Sequence, residues 1–159
     1  MAHITVISVG TLKENSLRDA VNEYKKRLSQ YARVDEINIK EEKIQDEDSR
    51  HSIVSALSAE GEKILQAIPK DSVKIALCVE GTEYDSPALA SLMEASLSKC
   101  GKITLIIGSS YGLSDKVKNQ CDIRLSVSKM TFPHQLMRVI LYEALYRSFT
   151  IISGKRYHK

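Results

Sequence analysis

The chain has no tryptophan and only 6% aromatic residues, which argues against a surface built on aromatic platforms for stacking bases. Its three cysteines, Cys78, Cys100 and Cys121, are an odd number, widely spaced and without a CxxC pair. That pattern suggests neither a disulfide framework nor a zinc site. His3, His51, His134 and His158 show no HxxxH or similar spacing, so no metal centre is expected. No apolar run approaches the roughly 18 residues that span a bilayer, and the opening MAHITVISVG lacks a basic leader with a long apolar core. A cytoplasmic protein without a membrane partner is expected. Also missing are a GxxxxGK phosphate loop, a GxGxxG fingerprint, a GxSxG elbow and an obvious carboxylate pair. ATP hydrolysis, a standard dinucleotide site and a serine hydrolase therefore have no support. Cys78 sits inside an apolar run, where a thiol is ordinarily inert packing.

What is present is an alternation of strand-like and helix-like segments. Runs rich in β-branched residues recur at 4–10 (ITVISVG), 34–39 (VDEINI), 73–81 (VKIALCVEG), 103–109 (ITLIIGS) and 123–127 (IRLSV). Three are nearly continuous apolar stretches, as expected of parallel strands covered on both faces, whereas 34–39 alternates like a half-exposed edge. Between them, 17–28, 58–68 and 86–97 carry apolar residues at helical spacing. Ser86 before Pro87 reads as an N-cap with proline in the first helical position, and Ser114–Asp115 as a second helix start. The acidic stretch 40–52 has little apolar content and reads as a solvated loop or a frayed helix start. With 159 residues, 43% hydrophobic, the expectation is one α/β domain over 1–159. Its sheet should be open and mostly parallel, with helices on both faces.

Charge is unevenly placed. Residues 1–80 carry a net −2 and residues 81–159 a net +5 within an overall +3, so the C-terminal half is the one that would face an anion. In a parallel sheet ligands bind beyond the carboxyl ends of the strands, which directs attention to the loops after Gly81, Gly108 and Val127. The segment IIGSSYGLSD offers Gly108, Ser109, Ser110 and Gly112 between a buried strand and a helix start, although a glycine turn without a ligand would look the same. In SVSKMTFPHQLMRVILYEALYRS, Pro133 marks the passage from strand to helix. From there Leu136, Met137, Ile140, Leu141, Ala144, Leu145 and Phe149 form an apolar stripe. Ser128, Lys129, Thr131 and His134 fall at the mouth of the sheet. Taken singly, Lys129 reads equally as a solvated lysine and His134 as a polar residue of a first helical turn. The terminal SGKRYHK is either a frayed basic end or, if ordered, a segment able to contact phosphate and handle a proton.

The blocks ITVISVGTLKE, YKKRL, LIIGSSYGL and LSVSKMTFPHQLMRVILYEALYRSFTIISGKRYHK together resemble, from end to end, the RlmH family. These are bacterial 23S rRNA (pseudouridine-N3)-methyltransferases of the SPOUT class. The resemblance implies an α/β domain with a C-terminal trefoil knot, an exception to the usual avoidance of knots. It implies S-adenosyl-L-methionine as methyl donor, held by Leu77, Gly108, Val127, Ser128, Lys129, Met130, Thr131 and Phe132. It further implies a homodimer in which the partner's Arg156, Tyr157 and His158 serve the reaction. Lys129, Arg138, Lys155, Arg156 and Lys159 are expected on RNA, and the substrate is a hairpin loop of 23S rRNA in the assembled 70S ribosome. Other readings are a related methyltransferase acting on another RNA such as tRNA, a non-catalytic ribosome-binding factor of the same fold, and a nucleotide-binding regulator. The last would need a phosphate site that the sequence does not offer.

Overall fold

The computed structural model describes residues 1–159. Five strands, β1 (Ala2–Val9), β2 (Ala32–Ile39), β3 (Val73–Glu83), β4 (Lys102–Ile107) and β5 (Ile123–Ser126), alternate with five helices. The helices are α1 (Asn15–Leu28), α2 (Arg50–Ala67), α3 (Ser86–Cys100), α4 (Asp115–Gln120) and α5 (His134–Ile152). All neighbouring strands are parallel and the order across the sheet is β2-β1-β4-β3-β5. The half-exposed run is indeed the edge strand β2, and the continuous apolar runs are the three inner strands.

Strand alternation divides the core into two layers. On one face Ile4, Val6, Ile75, Leu77, Ile103, Leu105 and Ile107 meet Val21 and Leu28 of α1, Met93 of α3, and Leu141, Leu145 and Phe149 of α5. On the other, Ile7, Val9, Ala76 and Ile106 meet Ile64 of α2, and Leu113 and Val117 at α4. No helix is long and apolar enough to cross a membrane.

Three local expectations shift. Helix α3 is capped by Asp85, whose carboxylate accepts from the Ala88 amide at 2.8 Å, which moves Ser86 and Pro87 one place into the helix. Helix α2 begins at Arg50 rather than near 58, because Ser49 caps it by accepting from the Ser52 amide at 3.3 Å. Pro133 is the residue before α5, with a non-helical backbone (φ −52°, ψ 135°), and the helix proper starts at His134. Ser114 caps α4 as expected, accepting from the Val117 amide.

Strand β3 holds the feature that shapes the functional end of the sheet. Leu77 pairs with Leu125, and then Thr82 pairs with the same Leu125, so residues 78–81 are looped out of the β3–β5 ladder. A side chain at Gly81 would strike the backbone of Arg124 and Leu125 at 2.7–2.8 Å, so only glycine lets the strand return to pairing there.

Candidate active site

The carboxyl ends of β3, β4 and β5 open into a cavity of about 330 Å³ lined by 20 residues, of which 11 are hydrophobic. That volume lies within the range of small-molecule pockets, about 300–1,000 Å³. Five pieces of chain build it: the end of β3 with its looped-out residues, the turn after β4, Lys118 of α4, the turn after β5, and the first turn of α5.

The turn after β4 is closed on itself. The Gly112 amide donates to the Ser109 carbonyl at 2.9 Å and the Tyr111 amide to Ser109 Oγ at 3.3 Å. Gly112 takes a left-handed backbone, φ +89°, which an L side chain rarely adopts. Any side chain at Gly108 would land on the Gly112 carbonyl, so the wall of the cavity at that point is bare backbone. The turn after β5 is held by serines: Ser126 Oγ donates to the Ser128 carbonyl at 3.1 Å, and the Met130 amide donates to Ser128 Oγ at 2.9 Å. Met130 is left 69% exposed over the cavity, an apolar side chain with space on one side.

One ion pair stands on the rim. Glu80, from the looped-out segment, meets Lys118 of α4 at 2.6 Å, and Asp115 lies 3.5 Å from the same ammonium. The hydrogen bond from Lys118 holds the Glu80 carboxyl below its ordinary range, and the same bond raises Lys118. Cys78 also lines the cavity, but burial pushes its thiol up, which keeps it protonated and non-nucleophilic.

Of the residues implied to hold a methyl donor, Leu77, Gly108, Val127, Ser128, Met130, Thr131 and Phe132 all line this one cavity. Lys129 sits between lining residues but is itself exposed and does not line the cavity. Sequence reasoning missed Val79, Glu80 and Lys118 on the rim and Met137 in the α5 wall. Val79 and Glu80 follow an inner strand's carboxyl end, which was the available signal; the excursion that brings them over the cavity depends on pairing with β5.

The terminal residues lie elsewhere. His134 and Met137 at the start of α5 line the cavity, whereas the tail leaves the other end of that helix, after Ile152. A helix of 19 residues is about 28 Å long. Within one chain the structure therefore does not bring Arg156, Tyr157 or His158 to the cavity. The tail is nevertheless tied down: Lys155 Nζ donates to Gln30 Oε1 at 2.8 Å and lies 4.8 Å from the centre of the Tyr31 ring. Tyr157 packs edge-on against Tyr146 with ring centres 4.8 Å apart. Arg156 and Lys159 are exposed.

Arg138 requires a correction. It is 5% exposed, and its guanidinium donates to the carbonyls of Val9 at 2.9 Å and Gly10 at 2.7 Å, and to Asn38 Oδ1 at 3.3 Å. A side chain spent on closing the end of β1 is not available to RNA phosphates.

The family model described as "Predicted SPOUT methyltransferase" matches residues 2–158. A protein from Caldicellulosiruptor saccharolyticus named ribosomal RNA large subunit methyltransferase H is 44% identical over 98% of this chain and 99% of its own. One of the same name from Shouchella clausii is 47% identical, covering 99% of each chain. Among solved structures, one described as a probable methyltransferase from Bordetella pertussis Tohama I superposes with a TM-score of 0.60, covering 92% of this chain and 96% of that one, at 12% identity. That last likeness carries the fold alone; the first three, each spanning nearly the whole sequence, place this chain in the SPOUT methyltransferase family, among relatives of ribosomal RNA large subunit methyltransferase H.

Proposed function

We propose that the protein is an S-adenosyl-L-methionine-dependent methyltransferase acting on N3 of a pseudouridine in a 23S rRNA hairpin loop of the assembled 70S ribosome, and that it works as a cytoplasmic homodimer with the family's trefoil knot. The observation that carries the reading is the convergence of Leu77, Gly108, Val127, Ser128, Met130, Thr131 and Phe132, distant in sequence, on one largely apolar cavity. Such a cavity suits the methyl donor. The bare backbone at Gly108 permits close approach of a flat base, and Leu77, Val127 and Phe132 supply apolar walls. No phosphate cradle is needed, which accounts for the missing nucleotide fingerprints.

The donor supplies an electrophilic methyl group on a sulfonium. The protein must then align the acceptor nitrogen and favour loss of its imide proton. The exposed Lys129, in the turn after β5, and Lys155, Arg156 and Lys159 of the tail are assigned to RNA phosphates. Because tail and cavity lie at opposite ends of α5, the tail is assigned to the partner's cavity.

The test is transfer of labelled methyl to ribosomes from a strain lacking the enzyme, comparing 70S particles, separate subunits and naked rRNA. Labelling confined to assembled particles is the expected result. Donor binding without labelling of any ribosomal species would refute the rRNA assignment and direct the assay to tRNA.

A further inference from the structure

The tail carries a hydrogen-bond relay that determines which chemistry its histidine can perform. Glu143 and Arg147 are one turn apart on α5. Glu143 Oε1 accepts from Arg147 Nη2 at 2.6 Å and Nε at 3.0 Å, and from the Tyr157 hydroxyl at 3.2 Å. The guanidinium also lies over the Tyr157 ring, 4.8 Å from its centre. Held on those sides, Arg147 directs its remaining Nη1 at His158 Nδ1, 3.3 Å away. A guanidinium has N–H donors and no acceptor. His158 Nδ1 is therefore the nitrogen that carries the lone pair, and the ring proton is on Nε2. That N–H points away from Arg147, on an exposed side chain.

A histidine in this state has a donor to offer and no free lone pair with which to take a proton. Resting on the reading given under Proposed function, we propose that Arg147, fixed by Glu143 and Tyr157, holds His158 as an Nε2–H donor to an imide carbonyl oxygen of the acceptor base, rather than as the base that deprotonates it. The imide N3–H bond breaks with its proton passing to water or hydroxide from solvent. The electron pair left on N3, delocalised onto the flanking carbonyl oxygens, forms the new bond to the methyl carbon, and the carbon–sulfur pair stays with sulfur as a thioether. His158 keeps its proton and stabilises the oxygen on which charge accumulates. Tyr157, Arg147 and Glu143 are positioning residues, so Tyr157 acts through its ring and hydroxyl anchors and not on the substrate.

The tautomer is measured on the free, full-length protein labelled with ¹⁵N, by long-range proton–nitrogen correlation at a pH where the histidines are neutral. His158→Gln identifies the signal, and the exposed His51 serves as internal reference. His158 is expected wholly as the Nε2–H form and Arg147→Met to return it to the mixture seen for His51. A wild-type His158 indistinguishable from His51, or one unmoved by Arg147→Met, overturns the relay. Methylation of ribosomes then separates donor from base. His158→Gln, which keeps an N–H at similar reach, is expected to lose about tenfold and His158→Ala about 10²–10³-fold, the scale of one oriented donor. Equal losses in the two variants would overturn the donor role. Absence of methylation by the wild-type protein would instead count against the proposed function and leave the tautomer result standing.

Discussion

Glu60 is 3% exposed, and only one of its carboxylate oxygens has a partner, the Glu42 amide at 2.9 Å; Oε1 has none. Burial pushes this carboxyl up, and the nearby Glu41 and Glu42 add to it, against the backbone hydrogen bond and Lys63. A carboxyl whose folded value lies above its unfolded one penalises folding only once the unfolded state ionises. Stability is therefore fully present below the ordinary glutamate range, falls as pH rises through it, and levels off above the folded value. Glu60→Gln is expected to stabilise the protein at neutral pH by roughly 1 kcal/mol, the scale of an unpaired buried polar group. The gain should vanish near pH 4, as urea unfolding at the two pH values would reveal; an equal gain at both would assign the effect to packing. Gly108 makes the opposite point about space. Gly108→Ala should lower donor affinity by about tenfold or more, ~1.4 kcal/mol, because the new carbon displaces the Gly112 carbonyl from the cavity wall. Unchanged affinity by titration calorimetry would show that this wall does not meet the donor.

At the level of elements, hydrophobic periodicity made the strands legible, because each inner strand is buried on both faces and so reads as a continuous apolar run. Two features escaped. The looped-out residues 78–81 depend on the register between β3 and β5, a long-range pairing that no local pattern encodes. Arg138 was legible in principle: it precedes Leu141, Tyr142 and Leu145 by three, four and seven places, which puts it on the buried stripe of α5. What the pattern does not disclose is the pair of carbonyls at the end of β1 that makes the burial tolerable. Arg138→Met should therefore destabilise by about 2–4 kcal/mol, since it leaves the Val9 and Gly10 carbonyls without their donor. Arg138→Lys should recover only part, as an ammonium cannot reproduce the planar fork. Full recovery by lysine would show that charge, not geometry, closes the end of β1. A separate contact joins the start of α5 to the turn after β1: the Lys13 amide donates to Gln135 Oε1 at 3.2 Å, one residue from the cavity-lining His134.

For the whole molecule, α5 joins the cavity at one end to the ordered tail at the other, about 28 Å apart. Seven residues follow the helix, and Lys155 and Tyr157 are anchored to the turn after α1 and to α5, so the tail does not extend back toward its own cavity. In the proposed homodimer the division of labour would be between subunits, and two-fold symmetry would make it reciprocal. Subunits carrying Gly108→Ala retain a tail but have an impaired cavity; subunits truncated after Ile152 retain the cavity but no tail. Assayed at a donor concentration well below saturation, the first preparation should retain about a tenth of wild-type activity, in line with the tenfold loss of affinity, and the second almost none. When they are mixed under conditions that exchange subunits, half of the dimers pair one of each, and in these the intact cavity faces the intact tail. Activity should then recover to about a quarter of the wild-type value per subunit, since one site in two works in half the dimers. A mixture that stays as inactive as its components, with exchange verified by mass, would place tail and cavity in the same chain and remove the reason for the dimer.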